Sequence, residues 1–331
     1  EEIMALLGAL FFGFVPMFLF AAFVNWLDRY EKEPKILLGA AFVWGMVVAA
    51  GGAFILNTAF GIGIYVLTGS EGVTEFGTTS IVAPIIEEGL KGLAVLIVFL
   101  LFRKEFDSVL DGIVYAAITA MGFAAVENVL YIYRNGYLES GWEGFWTLVV
   151  IRVLLVGWMH PFFTSFTGIG LAISRLSRNP LIKVLAIPAG YTVAVMVHAF
   201  HNTFGGLIGG VGGLVAGTFV DYMGYAFMLA FIIWIIVRER NMLKKHLREE
   251  VEKGYISQRQ YVSALSFFQT SAYLSALTSR TFLKTARFYQ VCGELAHKKE
   301  QFAQFGEERG NTRMIEQLRS ELLALAPVAK T

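Results

Sequence analysis

Long apolar runs separated by short polar segments fill the first 237 residues of the chain. Seven runs stand out, at about 3–26, 36–60, 79–102, 109–134, 145–174, 183–206 and 214–237, with ends uncertain by two to four residues. Each approaches or exceeds the roughly 20 residues a helix needs to cross the roughly 30 Å hydrocarbon core of a bilayer. The pattern predicts an all-α fold: a polytopic transmembrane bundle of about seven spans over residues 1–237. Residues 238–331 predict a soluble helical tail, polar at long intervals and broken near Gly306 to Asn311. The fourth run, from Asp111 to Asn128, is lined with Gly, Ala and Thr. Small side chains let helices approach closely in lipid, which predicts a central place for it.

Charge orients the bundle. Arg29, Lys32 and Lys35 follow run one, Arg103 and Lys104 run three, Arg175, Arg178 and Lys183 run five, and Arg238, Arg240, Lys244 and Lys245 run seven. The alternate loops are nearly empty of positive charge. The positive-inside rule predicts an N-terminus outside and a cytoplasmic tail, in a multi-pass protein of the cell (plasma) membrane. Composition agrees: 56% of the residues are hydrophobic and 15% aromatic. The formal net charge of +1 hides a split, with 11 Lys/Arg against 16 Asp/Glu in residues 1–237 and 16 against 10 in residues 238–331. A basic tail suits an anionic leaflet. Its basic residues are scattered among apolar positions, which speaks against nucleic acid as a partner. It reads as a helical cap or an interaction module, open to a partner or to self-association. The single cysteine, Cys292, excludes an intrachain disulfide and a multi-cysteine metal cluster.

The third run is unusual in carrying Glu87, Glu88 and Lys91. An ionisable residue at the centre of a bilayer helix costs about 2.5–3.5 kcal/mol on insertion scales, so such residues usually mark function. Glu87 and Lys91 lie one turn apart on one face; Glu88 points elsewhere and needs another partner. Candidates are Glu127, His160, His198 and Asn202. At about 1.5 Å of rise per residue, all fall in the middle or outer half of the bilayer. Glutamate and histidine suit zinc, which at catalytic sites keeps a position for water. Glu127, His160 and His198 are the expected metal ligands, Glu87 or Glu88 the general base, and Asn202 a donor to a tetrahedral oxyanion. Lys91 steadies the glutamate pair. A metal-free version, with Glu88 activating water directly, stands beside the zinc version. Pro161 predicts a kink beside His160, Asp111 reads as a helix N-cap, and His201 as structural or pore-facing. Arg152 and Asp221 read as snorkelling or mutually paired. Trp142, Trp146 and Trp234 read as interface anchors.

At these residues the sequence resembles the PrsW family of intramembrane proteases, relatives of the CAAX prenyl endopeptidases. The resemblance rests on Glu87-Glu88-x-x-Lys91, on Asp111-Gly-Ile-Val-Tyr115 running into Gly122-Phe-Ala-Ala-Val-Glu127-Asn128, on His160-Pro-Phe-Phe-Thr-Ser, and on His198-Ala-Phe-His-Asn202. It covers about residues 10–237 and leaves the tail outside. It implies a metal-dependent membrane peptidase that cuts single-span, membrane-associated substrates such as anti-sigma factors. Glu87 and Glu88 match the paired catalytic glutamates. Glu127, His160 and His198 match further polar motif positions, and Asn202 the asparagine of the His-x-x-x-Asn element. Lys91 stands where the CAAX branch places an arginine one residue later, which favours PrsW. Two rival classes use the same residues: a proton-coupled carrier with these groups as a relay, and a non-catalytic membrane scaffold. A carrier predicts two related halves, and the sequence shows no such symmetry.

Overall fold

The computed structural model describes residues 1–307 and 310–331, the side chain of Lys104 excepted; of the break expected at Gly306 to Asn311, residues 308 and 309 lie outside the described residues. The described residues contain helices and no strand. In chain order they form α1 (Glu2–Leu27), α2 (Lys35–Trp44), α3 (Ala50–Thr68), α4 (Glu71–Gly77), α5 (Ala83–Leu101), α6 (Val109–Leu130), α7 (Leu138–Val149), α8 (Met159–Leu176), α9 (Pro180–Ile208), α10 (Gly210–Glu252), α11 (Gln258–Ala264), α12 (Thr270–Thr278), α13 (Phe282–Phe305) and α14 (Asn311–Leu325). Wider π-type turns at Gly45–Ala49, Thr78–Val82, Tyr131–Tyr137 and Val150–Leu155 join or lead into several of them.

Five helical runs among the described residues are long and apolar enough to cross a bilayer: Glu2–Leu27, Lys35–Thr68, Val109–Leu176, Pro180–Ile208 and Gly210–Glu252. The seven runs read from hydropathy divide differently here for two reasons. Helix α5 carries Glu87, Glu88 and Lys91 within 19 residues, more charge than an ordinary apolar span tolerates. Residues 109–176 form one long helical stretch, interrupted where Ser140 and Gly141 leave helical geometry and again before Met159.

The chain divides into two units. One comprises Glu1–Leu27 and Glu33–Phe231; the other comprises Asp28–Lys32 and Ile232–Thr331. The apolar runs placed the division after residue 237. In the first unit α6 is the spine, buried almost throughout its length. Its small residues permit the contact. A Cβ on Gly168 would sit 2.0 Å from the Gly112 carbonyl oxygen, so α6 and α8 touch backbone to backbone there, as α6 and α2 do where Gly122 meets the Phe42 carbonyl. Ser108 starts α6 as N-cap. Its hydroxyl accepts from the amides of Leu110 and Asp111, and the Asp111 carboxylate accepts from the Ser108 amide at 2.7 Å. Asp111 is therefore the far half of a capping box and not the N-cap itself.

The kink expected beside His160 takes the form of a break: Val156 leaves helical geometry and α8 restarts at Met159, so Pro161 sits in a first turn, where its missing N–H costs no helical bond. In the second unit, Leu243, Leu247, Phe288, Val291, Cys292, Leu295 and Leu322 are buried. Glu250, fully buried, is held by Arg319 at 2.9 Å and Lys299 at 2.7 Å.

Candidate active site

Helix α5 brings Glu87, Glu88 and Lys91 into the bundle on a face buried by α6, α8 and α9. Glu88 and Lys91 are fully buried, and Glu87, His160 and His198 nearly so. Lys91 Nζ lies 2.6 Å from Glu88 Oε1 and 4.0 Å from Glu87 Oε2. The closer partner is Glu88, not the glutamate one turn away that spacing suggested. The ammonium also rests 4.4 Å from the centre of the Phe123 ring, whose π face attracts a cation. Its remaining neighbour is His160 Nδ1 at 3.2 Å.

Each histidine has its own carboxylate. His198 donates from Nδ1 to Glu88 Oε1 at 3.0 Å, which leaves the Nε2 lone pair facing Glu87 Oε2 at 3.8 Å. His160 donates from Nε2 to Glu127 Oε2 at 2.7 Å, which leaves the Nδ1 lone pair on the Lys91 side. A carboxylate behind an imidazole fixes its tautomer and raises its basicity. Phe163 stacks on His198 with ring centres 4.8 Å apart and holds its plane. Glu88 Oε2 takes a further hydrogen bond from Thr164 Oγ1 at 2.7 Å. Glu88 thus accepts from Lys91, His198 and Thr164 and anchors all three. Glu127 is paired with Arg152, whose Nε also donates to Asn128 Oδ1 at 3.2 Å.

Glu87 differs. Asn57, from α3, donates from Nδ2 to Glu87 Oε1 at 3.3 Å. Glu87 Oε2 is buried and has no hydrogen-bond partner. Ligand atoms of Glu87, His160 and His198 all lie within 4.8 Å of one another. Two imidazoles and a carboxylate with an unused buried oxygen fit the donor preference of a divalent cation such as zinc. The carboxylate in this set is Glu87, where the sequence reading placed Glu127; Glu127 sits behind His160.

The sequence-derived residues Glu87, Glu88, Lys91, Glu127, His160 and His198 are brought together. Asn202 is not: its Nδ2 donates to the Thr79 carbonyl at 2.9 Å, tying α9 to the turn that leads into α5. His201 pairs with Asp221 at 2.9 Å, so Asp221 is not the partner of Arg152. Asn57, Thr164 and Arg152 were missed as site residues. Thr164 stands one turn from His160, a spacing that was available; Asn57 had no neighbour in sequence to mark it.

Side chains from α3, α5, α6, α8 and α9 thus build one buried acid–imidazole centre inside an apolar helical bundle. That arrangement defines a helical membrane protein with a buried polar centre. Residues 33–237 match the PrsW family intramembrane metalloprotease, more than half of the chain, and the chain belongs to that family. It is 34% identical over 131 residues to Protease PrsW of Clostridioides difficile (strain 630), covering 38% of this chain and 52% of that protein. It is 31% identical over 141 residues to Protease PrsW of Geobacillus kaustophilus (strain HTA426), covering 43% and 55%. With Protease PrsW of Bacillus subtilis (strain 168) it shares 30% identity over 191 residues, covering 57% and 79%. The matched stretches span about half the length of the first two relatives. No solved structure matches the chain.

Proposed function

We propose that this chain is an endopeptidase that hydrolyses peptide bonds of single-span, membrane-associated substrates within the bilayer, anti-sigma-factor-like proteins among them. The observation that carries the reading is the Glu87–His160–His198 constellation, with the bare Oε2 of Glu87 3.8 Å from His198 Nε2. Family membership supports hydrolysis over the carrier and scaffold readings. The polypeptide crosses the cell membrane seven times, N-terminus outside and tail in the cytoplasm, as the loop charges indicate.

Glu87, His160 and His198 would hold the metal, and zinc is the ion these donors favour. Zinc bound there would supply a Lewis acid that makes hydroxide available near neutral pH. The chain's own groups prepare the site. Glu88 holds His198 and Lys91 in place, and Glu127, clamped by Arg152, holds His160. Burial keeps bulk water away, so each charge acts at low dielectric. Lys91 supplies positive charge beside the imidazoles, where negative charge develops on a carbonyl oxygen.

One observation favours a metal-free reading: the Lys91 ammonium already touches Glu88 Oε1 and His160 Nδ1. In that version Glu87 Oε2 takes a proton from water while Lys91 receives the oxyanion. The two versions separate by experiment on the purified full chain, with metal content and cleavage of a single-span substrate measured for wild type, Glu88→Ala and His160→Ala. The metal reading predicts about one equivalent of zinc in wild type, cleavage abolished by chelation and restored by zinc, and loss of both in His160→Ala. Cleavage by metal-free wild type at an undiminished rate would remove the metal assignment. Ion flux in liposomes without cleavage of any substrate would overturn the peptidase.

A further inference from the structure

The second unit shows an inversion of the usual rule for a helix in water. Helix α12 buries its small residues, Ala272 and Ala276, and turns its large ones, Leu274 and Leu277, outward at 59% exposure each. Phe268, just before α12, is 59% exposed, and Leu283, in the first turn of α13, is 81% exposed. Bulky apolar side chains placed outside while alanines fill the inside suit a surface that meets something apolar.

Charge says what that is. From Lys253 through Gly293 the chain carries five Lys/Arg and no Asp or Glu, in a tail that otherwise holds 10 acidic residues. Lys253 is paired with Glu249, and Arg287 with Glu294 and Glu321. Arg259, Arg280 and Lys284 are exposed and pair with no carboxylate among the described residues. Arg280 falls between Leu277 and Leu283, and Lys284 follows at once. Exposed leucine and phenylalanine beside unpaired basic residues, with acidic residues excluded, is the composition of an interfacial helix on anionic lipid. The same unit begins at Ile232 in the apolar run of α10, where Ile233, Trp234 and Val237 are exposed and the Arg238 guanidinium lies 5.9 Å from the Trp234 ring centre. An aromatic residue beside an arginine marks the edge of a bilayer.

We propose that the α11–α13 face of the tail unit is a membrane-docking surface that seats Leu274, Leu277 and Leu283 in the headgroup region of an anionic leaflet, with Arg280 and Lys284 on lipid phosphate. The tail is then a peripheral element bound along the bilayer and not a free soluble module.

The full chain, reconstituted one copy per nanodisc, tests this. Spin labels at Leu277→Cys and Leu283→Cys report depth, and Gln317→Cys, exposed on α14, is the aqueous control. In discs containing phosphatidylglycerol at low salt, the first two labels are expected to be shielded from a water-soluble relaxation agent and open to oxygen. At about fivefold per basic side chain near an anionic surface, Arg280→Gln with Lys284→Gln lowers the docked-to-undocked ratio about thirtyfold, and molar salt has the same direction of effect. Hydrogen exchange of residues 258–284 in the unsubstituted protein gives an independent reading: protection in anionic discs, none in neutral ones. Labels at 277 and 283 as wet as the one at 317 would overturn the proposal. Shielding that ignores lipid charge, or that appears only when two copies share a disc, would assign the face to protein and overturn it too.

Discussion

Asn57 interrupts an apolar helix without any partner nearby in sequence, and its meaning appears only where its amide meets Glu87. The amide orients a carboxylate whose other oxygen is left bare. Replacing Asn57 with leucine makes α3 more compatible with lipid, so the fold should persist. Removing a group that orients a metal ligand typically costs 10–100-fold in metal affinity or activity. The expected outcome for Asn57→Leu is a fall of about that size in zinc affinity and kcat; chelator competition and steady-state cleavage measure it. Thr164→Val removes a hydrogen bond to an ionised Glu88 and leaves the shape intact. Bonds to charged groups are worth about 1.5–3 kcal/mol, and a loss of that size should appear in unfolding of the detergent-solubilised protein. The glutamate pair, Lys91, Glu127 and both histidines were legible because charge in an apolar run is conspicuous. Arg152 was conspicuous too, yet the chain does not reveal which way a side chain points around its helix, so Glu127 as its partner was not.

At the scale of elements, the small-residue pattern of α6 carried real information. It announced a central helix, and the backbone contacts at Gly112, Gly122 and Gly168 are what such a pattern permits. Gly168→Leu should therefore be severe: the added carbon has no room against the Gly112 carbonyl, and overpacking costs about 1–3 kcal/mol or more. Gly39→Ala meets nothing within 4 Å and serves as the matched control; it should leave the unfolding midpoint unchanged or slightly raised. Helix ends were harder to read. Hydropathy joined residues 145–174 into one run because apolarity continues through the interruption before Met159. That interruption gives His160 a first-turn position, from which its ring reaches both Glu127 and Lys91.

At the scale of the whole molecule, the two units handle charge differently. The first gathers Glu87, Glu88, Lys91, Glu127, His160 and His198 in one largely buried centre; the second spreads its charges through ion pairs. Glu300 shows the electrostatics of the second. Partial burial pushes its pKa up, but hydrogen bonds from His246 and Lys245 outweigh that and hold it at about 2 against an ordinary 4.5. A carboxylate depressed in the folded state contributes stability that is fully present above its unfolded pKa and is lost as pH falls through the folded one. The tail's unfolding midpoint should therefore fall as pH drops from about 4.5 toward 2, and Glu300→Gln should flatten that slope; a thermal titration of the full chain followed through hydrogen exchange of the tail amides checks both.

The amino-acid sequence by itself determined that this is a helical membrane protein, that ionisable residues interrupt its apolar runs, and that a basic tail follows. Those facts depend on local composition, because transfer into lipid is paid residue by residue along the chain. The tertiary structure decided the pairings: Glu88 with Lys91 and His198, Glu127 with Arg152 and His160, and Glu87 with Asn57 and a bare oxygen. Which carboxylate supports a histidine and which stands open to a cation depends on the rotation of each helix about its own axis. Only packing against neighbouring helices sets that angle.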